Sequence, residues 1–279
     1  MPNQRNALFK GERTRSHARN ENHQRMQTLL QSPCEALDVA VTLSNCRSRH
    51  RCLSPACAVC SRKFRRRFVK QAWQALQEFP TIFLVTLLPK AMFLAPDALA
   101  GVDIRKLKNS VTQQFRRAGL EEAVVIGGVE AVWNPELRLV SVHLHLLVVN
   151  AKEDQIRSLN RFYKEKRALK IQRIRPGKAA LKKAFRTTQK RGEGGPELLT
   201  RILRIQDETK RKVLSYQFKN TTYYRDEFKR PRRPPAEIEA FLLKFLDRHR
   251  FTELIFLKGL RFKGHTLVFL PGRIRTLDG

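Results

Sequence analysis

The spacing of apolar residues along this chain changes period several times, and each change predicts an element. Phe64, Phe68, Ala72, Ala75, Leu76 and Phe79 recur at three- and four-residue steps. That spacing is the mark of one buried helical stripe, and Pro80 closes it. "TIFLVTLLP" at 81–89 is rich in branched and aromatic residues and reads as a buried strand ended by proline. Ile104, Leu107, Val111 and Phe115 predict an amphipathic helix over 103–118, ended near Gly119. "AVVIGGVEAVW" and "LRLVSVHLHLLVV" are strand-like runs separated by Asn134-Pro135-Glu136, which is turn chemistry, so they predict a hairpin.

Beyond the hairpin, Ile156, Leu159 and Phe162 with Tyr163 predict a helix within 152–170. "GEGGP" at 192–196 marks a loop. "LLTRILRIQ" reads as a short strand leading into Asp207-Glu208, acids suited to the start of a helix carrying "TKRKVLSYQFK". "PRRPP" at 231–235 breaks the chain before a last helix at 236–249 and strand-like material at 251–270. Residues 1 to about 35 lack sustained apolar periodicity and are expected to form a weakly structured cationic arm. No internal repeat is visible.

Composition narrows the class. The chain has 279 residues, 42% of them hydrophobic, enough to bury a substantial core. Five Cys rule out a disulfide scaffold. No apolar stretch approaches the roughly 18 to 20 residues of a bilayer helix, and the N-terminal segment has no apolar core of a secretory signal. A cytoplasmic protein with reduced thiols is expected. The 56 Lys and Arg against 25 Asp and Glu give a charge of +31 spread along the chain, which makes nucleic acid the default partner and a membrane none.

Cys46, Cys52, Cys57 and Cys60 follow a Cys-x5-Cys-x4-Cys-x2-Cys spacing. Four thiolates in so short a stretch match tetrahedral zinc, and the surrounding "NCRSRHRCLSPACAVCSRK" is too polar for a core. His50 could replace one Cys. The adjacent Arg residues favour thiolates and face outward toward phosphates. Cys34 has no evident partner.

Strand alternation puts Val140, Val142, Leu144, Leu146 and Val148 on one side of "VSVHLHLLVV" and His143 and His145 on the other. If the hairpin loop is Asn134 to Leu137, Trp133 pairs with Arg138, Glu130 faces Ser141 and His143 faces Gly128. Glu130 then sits diagonally beside His143 on the same face. Two imidazoles and a carboxylate form a divalent-metal site, with Mg²⁺ or Mn²⁺ expected, and Gly128 leaves room for a phosphate.

In "KVLSYQFKNTTYY", Tyr216 and Lys219 lie three apart, neighbours on one helical face, while Leu214 and Phe218 supply a packing face. Tyr223 lies two turns from Tyr216. A phenol with a pKa of about 10 attacks a phosphodiester only if cation and metal stabilise the developing charge. Lys219 supplies the cation. A metal held by His143, His145 and Glu130 would polarise a nonbridging oxygen, and the products would be a 5′-phosphotyrosine and a free 3′-hydroxyl.

The order of these motifs, a cysteine cluster, "VTLLP", "GGVEAVW", "VSVHLHLLVV" and "SYQFKNTTYY", resembles the bacterial plasmid rolling-circle replication initiators of the HUH endonuclease superfamily. The resemblance runs from about residue 44 to 225 and more faintly to the end. It implies that Tyr216 is the nicking tyrosine, Lys219 its helper, His143 and His145 the metal pair, and Glu130 the acidic ligand. Family members often read His-Pro-His-Phe-His where this chain has Ser141, Val142, His143, Leu144 and His145.

The fold implied is α+β: a central antiparallel sheet with helices mainly on one face and the metal site on the open face, preceded by a small four-cysteine zinc module. The expected division is a basic arm at 1–35, a zinc module at 36–66, a nicking domain at 67–230 and a C-terminal helix-and-strand extension packing on the core at 231–279. The expected substrate is single-stranded or supercoiled plasmid origin DNA. No Gly-x-x-x-x-Gly-Lys-Ser/Thr phosphate loop is present, so unwinding and extension fall to a host helicase and DNA polymerase. Alternatives are a mobilisation relaxase or a transposase with the same chemistry, or a non-catalytic zinc protein that binds nucleic acid through charge.

Overall fold

The computed structural model describes residues 14–32, 36–162, 200–205, 222–226, 228, 230–264 and 266–271. Tyr216, Lys219, Cys34 and the expected helix after 206 lie outside the described residues. The fold is α+β. Helices α1 (Arg15–Gln31), α2 (Leu37–Ser44) and α3 (Ala58–Leu76) precede strand β1 (Ile82–Leu87) and the two-residue β2 (Phe93–Leu94). Then follow α4 (Ile104–Arg117), β3 (Val124–Asn134), β4 (Leu139–Val149), α5 (Glu153–Ser158) and β5 (Thr200–Ile205). The chain continues through β6 (Tyr224–Arg225), β7 (Pro231–Arg232), α6 (Ala236–Asp247), β8 (Ile255–Lys258), β9 (Leu260–Lys263) and β10 (Thr266–Phe269).

The main sheet runs β5-β1-β4-β3-β8, with β2 also on β4. All its described ladders are antiparallel. Its centre is the hairpin of β3 and β4, whose register differs from the expected one. Asn134 pairs with Leu139, Trp133 with Val140 and Glu130 with His143, and Gly128 faces His145. The loop is therefore 135–138 rather than 134–137. Asn134 caps it, its Oδ1 accepting from the Leu137 N–H at 3.0 Å, Leu137 is buried, and Arg138 takes the left-handed turn (φ 53°). Each residue's partner moves by two positions, so every side chain stays on its expected face.

The even-numbered β4 face is buried against residues of α2, α4, α5 and α6. In α4, Asp103 caps the start by accepting from the Lys106 N–H at 2.9 Å, and Ile104, Leu107, Val111 and Phe115 form the buried stripe. Helices lie mainly on this face, but not only there. On the histidine face, Phe68, Val69, Ala72 and Leu76 of α3 cover Val124, Ile126, Leu147 and Val149, with the hairpin of β9 and β10 beside them. Half of that face is thus roofed, and the half carrying Ser141, His143 and His145 is not in this apolar cluster. Gly127 lies in the middle of β3, where a Cβ would collide with the His145 carbonyl and the Leu146 side chain.

Three sequence expectations change. Residues 15–31, expected as part of a weakly structured arm, form a packed helix whose buried positions are Ala18, Glu21, Arg25 and Leu29. The stripe has helical spacing but half of it is ionisable, so an apolar pattern does not reveal it. The Glu21 carboxylate accepts from Arg25 (3.0 Å), Arg233 (2.6 Å) and the Tyr223 hydroxyl (2.9 Å), and Arg25 also donates to the Ala56 carbonyl (2.6 Å). Arg233 further donates to Glu239 of α6, which Thr222 also reaches at 2.6 Å.

The boundary expected at 66 falls inside α3, which joins the cysteine segment to the sheet without a break. The chain after 231 does more than pack on the core: β8 pairs with β3 and completes the sheet.

Candidate metal centres

β3 and β4 bring Glu130, His143 and His145 together. Glu130 Oε2 lies 3.0 Å from His145 Nε2 and 3.5 Å from His143 Nε2, and the two Nε2 atoms are 3.0 Å apart. Donors adjacent around an octahedral ion with bonds near 2.1 Å are separated by about 3.0 Å, so the three atoms fit one divalent cation. Burial raises the Glu130 pKa, but hydrogen bonds from His143 and His145 outweigh it and hold the carboxyl down at about 2. The group is therefore an anion, and the Nε2 atoms that donate those bonds are the ones a metal would take, so a bound cation would replace the hydrogen bonds. The three side chains are 12 to 15% exposed, low enough to be oriented by their surroundings.

That orientation is uneven. Thr86 faces His145 across the ladder of β1 and β4, and its Oγ1 lies 2.9 Å from His145 Nδ1. If Nδ1 carries the proton and donates to Thr86, Nε2 is left with the lone pair a metal takes. Among the described residues His143 has no such support: its Nδ1 is buried and finds no partner there. It sits between the segment of β4 paired to β1, which ends at Leu144, and the segment paired to β2, which begins at Ser141. Thr86 was not singled out in the sequence. The signal was available, since a threonine shares the alternating face of Ile82 and Leu84 in an otherwise apolar strand.

The four cysteines converge at the start of α3. Sγ separations are 3.5 Å for Cys46 with Cys57 and with Cys60, and 3.7 Å for Cys52 with Cys60. These lie far beyond a disulfide bond of about 2.05 Å and near the edge of about 3.8 Å of a tetrahedron with 2.3 Å metal–sulfur bonds. All four sulfurs lie within 4.8 Å of one another. Cys57 also caps α3, its Sγ accepting from the Cys60 N–H at 3.4 Å. Hydrogen bonds from Cys52 and Cys57 lower the Cys60 pKa, while hydrogen bonds with Cys52 and Cys60, together with burial, raise that of Cys57. A bound cation would stabilise all four thiolates. His50 is exposed and belongs to neither ligand group among the described residues.

Ser54 anchors this loop through a hydrogen bond to Asp247 of α6. Asn22 of α1 anchors it too, accepting from the Ala58 N–H at 3.2 Å.

The two described tyrosines, Tyr223 and Tyr224, are engaged elsewhere. Tyr223 gives its hydroxyl to Glu21 and lies under the Arg233 guanidinium, 4.9 Å from the ring centre. Tyr224 packs on the apolar cluster of the helix-covered face. Neither is in the Glu130–His143–His145 group. Among the described residues no helix is long and apolar enough to cross a membrane. Compared with protein-family models, with curated proteins and with solved structures, the chain matches none.

Proposed function

We propose that this chain is a metal-dependent DNA-nicking enzyme of the HUH type that initiates rolling-circle replication of a plasmid. The observation that carries this reading is the convergence of Glu130, His143 and His145 on the sheet face opposite the one buried against α2, α4, α5 and α6. The order of the motifs and the +31 charge support it.

Glu130 supplies charge and the two imidazoles supply neutral donors for Mg²⁺ or Mn²⁺. Bound there, the cation would withdraw charge from a phosphate oxygen. The Tyr216 phenol gives up its proton to solvent and its oxygen attacks the phosphorus: a bond forms between that oxygen and the 5′ phosphate, the bond to the 3′ oxygen breaks, and the 3′ oxygen leaves as a hydroxyl after taking a proton from solvent. Lys219 stabilises the phenolate before attack. The linkage conserves the phosphodiester's energy, so the strand can be rejoined without a nucleotide cofactor. The four-cysteine cluster holds a structural Zn²⁺. Host helicase and polymerase supply unwinding and extension, in the cytoplasm.

The test is a covalent adduct. Incubated with supercoiled or single-stranded origin DNA and Mn²⁺, the protein is expected to give a protein–DNA band that survives denaturant. Tyr216→Phe is expected to remove it while salt-sensitive binding persists. Undiminished adduct in that variant would refute the assignment of the nucleophile, and no adduct from the unaltered protein on any origin would refute the enzyme. A relaxase or a transposase would leave the same adduct on transfer-origin or element-end DNA.

A further inference from the structure

Between Asp38 and Glu78 the sequence has no Asp or Glu and nine Lys or Arg. The five residues between Cys46 and Cys52 are Arg47, Ser48, Arg49, His50 and Arg51. All but Arg51 are exposed, and Arg51 is half-buried with its Nε unpartnered. Arg47, Arg49 and Arg51 make no ion pair among the described residues. The loop is compact, since the Arg47 N–H donates to the His50 carbonyl at 2.9 Å, and both its ends are ligands of the sulfur cluster. Cations held on so short a tether lose little freedom when they meet an anion.

Leu53, just after the loop, is 69% exposed and takes a left-handed backbone (φ 59°) that leucine disfavours. This residue carries the chain from Cys52, one of the four clustered sulfurs, into Ser54, which is tied to Asp247. Glycine would do this without strain, and the leucine side chain is left exposed, two residues from Arg51.

We propose that this cysteine-bounded loop grips duplex DNA, with Arg47, Arg49 and Arg51 on phosphates and Leu53 against the groove. The loop's role rests on the nicking reading only for its purpose, to hold the duplex next to the strand being cut. Duplex is favoured over single strand because single-strand sites combine a groove with aromatic stacking platforms, and residues 46–53 contain no Phe, Tyr or Trp. An apolar side chain amid cations on a projecting loop matches groove-entering wedges instead.

The location fits. Ser54 is tied to Asp247, Phe64 of α3 stacks on Phe251 at 4.4 Å, and β8 begins at Ile255, opposite Gly128, which itself faces His145. The grip is thus attached to the segment that runs from α6 into β8, at the β8 edge of the sheet.

Fluorescence anisotropy with a duplex of about 30 base pairs of arbitrary sequence, and with one of its strands alone, tests this between 50 and 200 mM salt. With three phosphate contacts at about 0.9 each, Arg47→Ala/Arg49→Ala/Arg51→Ala is expected to reduce the slope of log affinity against log salt by about 2.7 on duplex. Across that fourfold salt range the unaltered protein then loses about 40-fold more affinity than the variant. Arg49→Ala alone is expected to reduce the slope by about 0.9. Leu53→Gly keeps the left-handed backbone and is expected to weaken duplex binding at unchanged slope.

Zinc content and melting temperature establish that each variant is folded. An unchanged slope in folded Arg49→Ala, or an equal loss on single strand and duplex, would overturn the proposal. Binding is read without cleavage, so a chain that passes this test and forms no Tyr216 adduct refutes the nuclease alone.

Discussion

Thr86→Val tests whether the centre is built as described. Valine has nearly threonine's shape and favours strands, so the β1 ladder should persist while the hydroxyl 2.9 Å from His145 Nδ1 disappears. The His145 side chain is 15% exposed, so water replaces the lost partner poorly. A net hydrogen bond is worth about 0.5–1.5 kcal/mol, and more when a buried group is left unsatisfied. Removing such an outer partner of a ligating histidine lowers metal affinity about 10- to 100-fold, which is about 1.4 to 2.8 kcal/mol at about 1.4 kcal/mol per tenfold.

Thr86→Ser restores the oxygen and is expected to restore most of the affinity. The assay is titration of the zinc-loaded, otherwise metal-free protein with Mn²⁺, following free Mn²⁺ by electron paramagnetic resonance. If folded Thr86→Val binds Mn²⁺ as tightly as the unaltered protein, Thr86 does not orient His145, or no metal binds there.

Cys57→Ser removes a sulfur from the cluster while keeping a side chain that can cap α3, so zinc, expected near one per chain, should fall well below that by colorimetric release. The roof over Val124, Ile126 and Leu147 loosens with it, and losing several kcal/mol of metal binding should lower the melting temperature by about 10 °C or more; a zinc-free, equally stable unaltered protein would contradict this. Acid should act through Glu21. Burial raises its pKa, but Arg25, Arg233 and Tyr223 outweigh that and hold it below 4.5. A lowered carboxylate stabilises the fold above its unfolded pKa, and the stabilisation is lost as pH falls below about 4.5 toward the folded value. Glu21→Gln should therefore cost about 3–5 kcal/mol at pH 7, with the gap narrowing at pH 3.5 in urea melts; a gap independent of pH would refute the ion-pair account.

Much of the sheet was legible because its signals are local. Alternation in "VSVHLHLLVV" fixed which side chains share a face, and that survived a register error of two positions because a strand's face repeats every two residues. The hairpin loop was misplaced because its choice depends on a cap, Asn134 to Leu137, and on burial of Leu137 in the core. The cysteine spacing announced a metal-ready cluster without the fold.

The helix of residues 15–31 could not be read so easily. Its buried stripe contains Glu21 and Arg25, which are buried only because Arg233, Tyr223 and the Ala56 carbonyl, distant in sequence, satisfy them. By itself, then, the sequence determined strand faces, the cysteine cluster, the basic charge and the placing of two histidines beside an acid, all consequences of short-range spacing. Only the tertiary structure decided that Glu130 stands directly across from His143, that Thr86 meets His145, and that α3 roofs half the face. Those depend on chain segments meeting in space, and nothing in local periodicity encodes which segments meet.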